Sequence, residues 1–262
     1  MRFEQFAELH GLMINSLVLD RWVRVPTTDQ PKKRNGAYIF DGRAGAIINF
    51  AVHEKHILFK SDEPYRPDPQ ARAKREKADR EKKDRQQKAI QRAAHILDNS
   101  RHDYHPYLVK KGFPEVKGYV WLNSLVLPMR IDGRLVGVQL IAPDGTKRFL
   151  AGQQTKGASL VLDNKGQDIV CEGFATALSV KRALKQLRER YRIHVCFSAG
   201  NMIEVGAMLR EPLVIADNDP VGLSAAKKIS SRIWVGQTGE DFNDVEVRLG
   251  TGLAGDQLRP FL

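Results

Sequence analysis

The sequence predicts an α/β protein whose residues 166–262 form a βα layer around a mostly parallel sheet. Three observations predict it. Four short apolar runs, DIVCE, HVCFS, LVIAD and RIWVG, alternate with segments of helical period. Acidic residues end two of those runs and follow the last. Ahead of them, residues 101–165 hold closely spaced β-like runs rich in Lys and Arg, with no helical segment of comparable length. The expected organisation has four parts. A small β-rich domain covers 1–62 and a charged helical linker 63–100. A basic β-rich subdomain covers 101–165, and the βα layer follows.

In residues 1–62 the runs LVLDRWVRV, GAYIFD, AIINFAV and HILFK are punctuated by PTTDQPKKRNG and DGRAG. This pattern predicts a small antiparallel sheet behind a short N-terminal helix. The next stretch changes character. Residues 67–99 lack Gly and are dominated by Ala, Lys, Arg, Glu and Gln, with prolines only at the start, where a helix can begin. From Arg66 to Arg101 there are 12 basic and 6 acidic residues. Only Ala89, Ile90, Ala93, Ala94 and Leu97 form an apolar stripe, so the helix should be solvated first and docked at its C-terminal end.

In residues 101–165 the strands are YVWLNSLVLPMRI, RLVGVQLIAP, TKRFLAG and ASLVL, with hairpin turns at Asp132-Gly133 and Asp144-Gly145. Tyr119, Trp121 and Phe149 read as core residues before they read as base-stacking ones. In the last part, Ala177, Val180, Ala183, Leu184 and Leu187 mark one face of the first crossover helix.

Of the 262 residues, 42% are hydrophobic and 28% charged, so most of the chain should fold. Forty-two Lys and Arg oppose 31 Asp and Glu, a formal +11 that favours polyanionic partners. No apolar run reaches the ~18 residues of a membrane span, and MRFEQFAELH lacks the apolar core of a signal peptide. No membrane association is expected. Cys171 and Cys196 sit in apolar runs and are too few for a zinc ribbon or a disulfide framework, which suits a reducing cytoplasm.

The carboxylates carry the functional expectation. Glu172 ends the first run, Asp217 ends the third with Asp219 two residues on, and Asp241 and Asp244 follow the fourth. In an open parallel sheet the carboxyl ends of the strands line one edge, where ligands bind. Two like charges about 4 Å apart repel by on the order of 4 kcal/mol at an effective dielectric near 20. A cation offsets that repulsion, and oxygen-only ligands point to Mg²⁺ or Mn²⁺ rather than zinc. At each single position a loop or N-cap acid is the simpler reading. Three segments in order on one edge favour a shared site.

The series Glu172-Gly173 in VCEGFATAL, Asp217-Asn218-Asp219 with Gly222 in IADNDPVGLSAA, and Asp241 with Asn243-Asp244 in GEDFND resembles the Toprim domain of DNA primases, topoisomerases and some nucleases. LPMRIDGRLVGVQLIAPDGTKRFLAGQQTKGA resembles the basic half of a primase core, and HDYHPYLVKKG resembles phage and plasmid primase-like proteins. The likeness covers roughly residues 100–250. It departs at Val138-Gln139-Leu140-Ile141, where cellular primases carry a further arginine. It departs also in the N-terminal part, which stands in the zinc-ribbon position without its cysteines. No GxxxxGK[ST] loop is present.

The resemblance implies a C-terminal Toprim-type layer and a DNA primase of a phage or plasmid, working in a bacterial cytoplasm. Such an enzyme makes short RNA primers from NTPs on a single-stranded DNA template, with a replicative helicase supplied in trans. Glu172 would be the general acid/base or would steer the metal. Asp217, Asp219 and Asp241 would hold Mg²⁺ or Mn²⁺, with Asp244 as a weaker ligand because it stands at a helix start. Arg134, Lys147, Arg148 and Lys156 would contact nucleotide phosphates or template. A Toprim nuclease using water as nucleophile, and a non-catalytic DNA-binding replication adaptor, are the alternatives. A topoisomerase would need a tyrosine nucleophile on a further large domain.

Overall fold

The computed structural model describes residues 1–61 and 69–262. They fall into two compact units, Met1–Asp79 and Arg80–Leu262. The expected boundary at 62/63, with Arg66 and Pro67, lies outside the described residues.

In the first unit, helix α1 (Phe3–Leu9) lies on an antiparallel meander of β1 (Val23–Val25), β2 (Gly36–Phe40), β3 (Ala44–Asn49) and β4 (Ile57–Lys60). An aromatic core holds it. Phe3 stacks on Phe40 at 4.3 Å and meets Phe59 edge-on at 5.4 Å. LVLDRWVRV reads as one strand, yet only its last three residues pair. Asp20 stands at φ 60°, which breaks the extended line. The preceding residues are held by the Tyr38 hydroxyl, which accepts from the Val18 N–H at 2.8 Å and donates to the Ser16 carbonyl at 3.2 Å.

Helix α2 (Pro69–Asp98) contains the boundary between the units. Its C-terminal half buries Ala89, Ala93 and Ile96, a helical i, i+4, i+7 spacing.

The second unit holds two five-stranded sheets. The first is an antiparallel meander of β5 (Arg101–Tyr104), β6 (Lys117–Trp121), β7 (Ser124–Ile131), β8 (Arg134–Ile141) and β9 (Lys147–Phe149), with helix α3 (Pro106–Lys110) between β5 and β6. YVWLNSLVLPMRI, read as one run, is a hairpin: Leu122 and Asn123 stand at φ 44° and 63° and turn β6 into β7. Asn tolerates that conformation, but Leu rarely signals it. Pro128 lies past the end of the β6 pairing, so its missing N–H leaves no ladder bond unmade on that side. One face of this sheet packs under α2 through Val126 and Val138 against Ala93 and Ile96. The other packs Leu125, Leu127 and Ile141 against Ala175 and Leu178 of the βα layer.

That layer runs β10 (Leu160–Asp163), β11 (Gln167–Cys171), α4 (Phe174–Gln186), β12 (Tyr191–Val195), α5 (Ala199–Gly206), β13 (Leu213–Ala216), α6 (Pro220–Ala226), β14 (Ile233–Val235), α7 (Phe242–Leu249) and α8 (Thr251–Asp256), closed by a 3₁₀ turn at Arg259–Phe261. The strand order is β10-β12-β11-β13-β14. The last four strands are parallel and β10 is antiparallel to β12. Most of ASLVL thus pairs in this sheet and not in the basic meander with which the sequence groups it, while Ser159 at its start still bridges to Arg130 of β7. The alternation of the run is the same in either sheet, so only the pairing partner decides. The layer is a mixed α/β sheet with helices packed on it. Ala177, Val180, Ala183 and Leu184 of α4 are fully buried over Ile169, Ile193 and Ile215.

Gly166, between β10 and β11, shows how tightly this sheet is closed. A Cβ there would lie 2.0 Å from both the Arg190 carbonyl carbon and the Tyr191 nitrogen. These are backbone atoms and cannot rotate away. Gly166→Ala should therefore destabilise the unit by about 3 kcal/mol, or ~6–12 °C in Tm for a unit of this size. A melting curve that superposes on the wild type would contradict the packing.

Candidate functional site: an acidic strand edge faced by one lysine

The parallel register brings the strand ends together. Cys171 pairs with Ile215, and Ala216 pairs with Val235. Glu172 and Asp217 therefore leave adjacent strands at the same edge. Asp241 reaches it from the loop after β14, as the N-cap of α7. Asp219 caps α6, accepting from the N–H groups of Val221 and Gly222 at 2.8 and 2.7 Å. The loops are tied to each other. The Asn218 side chain donates to the Gly236 carbonyl at 2.9 Å, and the Gly239 N–H donates to the Asn218 carbonyl at 3.0 Å. The Asn243 amide donates to the Lys111 carbonyl and the Ser179 hydroxyl, both at 3.0 Å, so α7 is pinned to α3 and α4.

Asp217 is the electrostatic centre. Its Oδ1 is buried and accepts no hydrogen bond among the described residues. Burial, and then the fields of Asp241, Glu172 and Asp219, push its carboxyl up to about 6 against the opposing pull of Lys147. Glu172 is raised too, by burial first. Lys147 works against this, Asp219 adds to it, and the Ala199 N–H donates to the carboxylate. A buried carboxylate without a partner is costly. It fits a site that receives a cation, and its neighbours are oxygen donors only, the chemistry of Mg²⁺ or Mn²⁺. Among the described residues, no group of three or more His, Cys, Asp or Glu is placed to hold a metal ion. The edge is thus an open one. Mg²⁺ suits such an edge, since it takes one or two carboxylates and completes its shell with water and phosphate.

The basic candidates separate by strand alternation. Lys147 pairs with Ile141 and shares its face, the one that packs toward α4. Its charge reaches both Glu172 and Asp217. Arg148, one residue on, pairs with Leu140 on the other face and acts on Asp144. Arg134 starts β8, seven residues from Ile141, or roughly 23 Å along the strand from the level of Lys147. Lys156 forms an ion pair with Glu204 at 2.8 Å, beside a groove of about 750 Å³ lined by Lys82, Gln86 and Gln153. Asp244 completes a capping box. Its Oδ2 accepts from the Asp241 N–H at 3.2 Å, and Asp241 Oδ1 accepts from the Asp244 N–H at 2.9 Å. The edge thus unites Glu172, Asp217, Asp219, Asp241 and Lys147, while Arg148, Lys156 and Asp244 are engaged elsewhere and Arg134 stands at the far end of β8.

One neighbour escaped the sequence reading. Tyr107 of α3 is buried, and burial followed by the field of Asp241 pushes its phenol up to about 12. It stays a proton donor at neutral pH. The only signal for it was the HDYHPYLVKKG motif, whose residue types do not reveal which ring faces the acids. The cysteines are structural, since burial raises both thiols. Tyr119 and Phe149, read as core, are 48% and 44% exposed.

No protein-family model matches the chain. Among solved structures it is similar to the crystal structure of a DNA primase domain from Pseudomonas aeruginosa, at 14% identity and a TM-score of 0.37. The match covers 54% of this chain and 52% of that one. Among the described residues, no helix is long and apolar enough to cross a membrane.

Proposed function

We propose that the chain is a DNA primase, a nucleotidyltransferase that makes short RNA primers from NTPs on single-stranded DNA in phage or plasmid replication. The observation that carries this reading is the orphaned Asp217 carboxylate, buried among Asp241, Glu172 and Asp219 with Lys147 opposite. The order of the three acidic motifs, and a basic sheet packed against the acid-bearing layer, support it further.

Asp217 and Asp241, with the Asp219 Oδ2 that the cap does not use, would hold Mg²⁺ or Mn²⁺. When bound, the metal would neutralise triphosphate charge and stabilise the attacking and leaving oxygens. Lys147 would bind the same phosphates from the facing strand. Glu172, held by the Ala199 N–H and raised by burial, would take the proton of the attacking hydroxyl at its carboxylate. Tyr107 would remain protonated beside Asp241 and donate to a substrate oxygen. A replicative helicase in trans and a bacterial cytoplasm belong to the same proposal.

The test is primer synthesis on varied single-stranded templates with NTPs and Mg²⁺ or Mn²⁺. Labelled RNA products of a few nucleotides are expected. Lys147→Ala should cut their yield by about 10–100-fold, whereas Arg134→Ala, on the remote hairpin, should stay within about threefold. Metal-dependent nicking without NTPs and without primers would replace this reading with a nuclease. Metal-independent DNA binding with neither activity would replace it with an adaptor.

A further inference from the structure

The outer face of the basic meander carries a feature that the acid edge does not use. Register places His102 opposite Tyr119 and Tyr104 opposite Lys117, so the four side chains share one face of the edge pair β5–β6. All four are exposed, with Tyr104 at 54% and Tyr119 at 48%. The Lys117 ammonium sits 4.7 Å from the Tyr104 ring centre, and His102 meets Tyr119 edge-on at 5.9 Å. Trp121 extends the row along β6 and joins the cluster beneath α2. Alternation sends Asp103 to the opposite face, so no carboxylate of β5 or β6 lies on this one. Helix α2 covers the rest of the same face, and from Arg85 to Leu97 it has basic residues and no acid.

Two large exposed rings on one sheet face offer flat surfaces on which a partner can stack. Rings interleaved with cations and free of carboxylates complement one class of partner: a flexible polyanion with flat faces. We propose that Tyr104 and Tyr119, with Lys117, form a base-stacking platform for single-stranded DNA on the face of the meander opposite Lys147. Bases stack on the rings and Lys117 takes a phosphate. Stacking tolerates any base, so the platform holds the strand without reading its sequence. The inference rests on the reading of the chain as a protein of single-stranded DNA, and it adds where the strand is held away from the acid edge.

The experiment measures binding of a fluorescent oligo-dT, and of an abasic oligonucleotide of equal length, to the full chain without NTPs or metal. Tyr104→Ala and Tyr119→Ala lie on the surface and should fold normally, as melting checks. Each should weaken oligo-dT binding about tenfold, with little change for the abasic strand. Tyr→Phe at either position should restore affinity. Lys117→Ala should reduce the dependence of log K on log salt by about 0.7. Wild-type affinity in the double Ala variant, or equal affinity of the wild type for oligo-dT and abasic strands, would overturn the platform and leave the primase reading standing if primers are still made. Absence of oligo-dT binding by the wild type would overturn both.

Discussion

At pH 7.5, Asp217→Asn is expected to raise the melting temperature of the metal-free protein while lowering primer synthesis by more than ~100-fold. The two effects share one cause. The Asp217 carboxyl is raised to about 6, while in the unfolded chain it titrates near its ordinary value of 3.8. Between those values the native state binds more protons than the unfolded one. Stability therefore falls as pH rises from about 4 to 6, and the penalty is fully present above 6. Asn keeps the shape and removes the charge that Asp241, Glu172 and Asp219 repel. With solvent screening at this half-open edge allowed for, the gain is on the order of 1 kcal/mol, or about 2–4 °C. It should vanish below pH 4. Melting curves of the two proteins at pH 4 and 7.5, beside a primer assay, check both signs. A less stable Asp217→Asn protein at pH 7.5 would mean that the carboxylate is satisfied in a way the structure does not contain.

Gly222→Ala should do the opposite to stability and the same to activity. A Cβ at Gly222 would lie 2.6 Å from the Asp217 carbonyl oxygen, a backbone atom, and 3.5 Å from the Asp217 Cβ. The Gly222 N–H also donates to Asp219 Oδ1 at 2.7 Å, so the helix start cannot retreat without losing its cap. Relief requires α6 or the Asp217 strand end to move by several tenths of an ångström. The expected loss is about 1–3 kcal/mol of stability, together with a fall in primer synthesis of about 10–100-fold, because both carboxylates of the turn are displaced. This is why the turn takes the form Asp-Asn-Asp-x-x-Gly here: the glycine lets the capped helix close over the residue that carries the site. A variant with wild-type melting and synthesis would show that the turn has slack.

Much of the βα layer was legible because its signals are local. Apolar runs of four or five residues, short and rich in β-branched side chains, ended by Glu172, Asp217 or Gly236, read as buried strands whose ends meet solvent. Placing the acids on one edge followed from topology alone. The rest depends on pairing and direction. β10 alternates like a strand of either sheet, and only its partner β12 decides. Lys147 and Arg148 look equivalent in sequence, yet the two-residue period of β9 sends one toward the acids and the other away. Asp244 has the residue type of a ligand, but the spacing from Asp241 is that of a capping box, and the cap uses it. Tyr119 has core-like neighbours, but it stands on an edge pair where α2 packs against Trp121 and leaves the Tyr119 ring exposed. Asp217, Asp219 and Asp241 were expected to hold Mg²⁺ or Mn²⁺ together at one strand edge; among the described residues no group of three acids is placed to hold a metal ion, and one Asp217 oxygen is orphaned.

The most direct measurement is Mn²⁺ binding, followed by electron paramagnetic resonance or calorimetry from pH 5 to 8, on the wild type and Asp217→Asn. Affinity should rise about tenfold per pH unit up to pH ~6 and level above it, as the Asp217 carboxyl releases its proton to water and the ion takes the proton's place. Binding should be at least ~100-fold weaker at pH 8 in Asp217→Asn. Equal Mn²⁺ affinity in the two proteins, or none in the wild type at pH 8, would contradict a cation site at this strand edge.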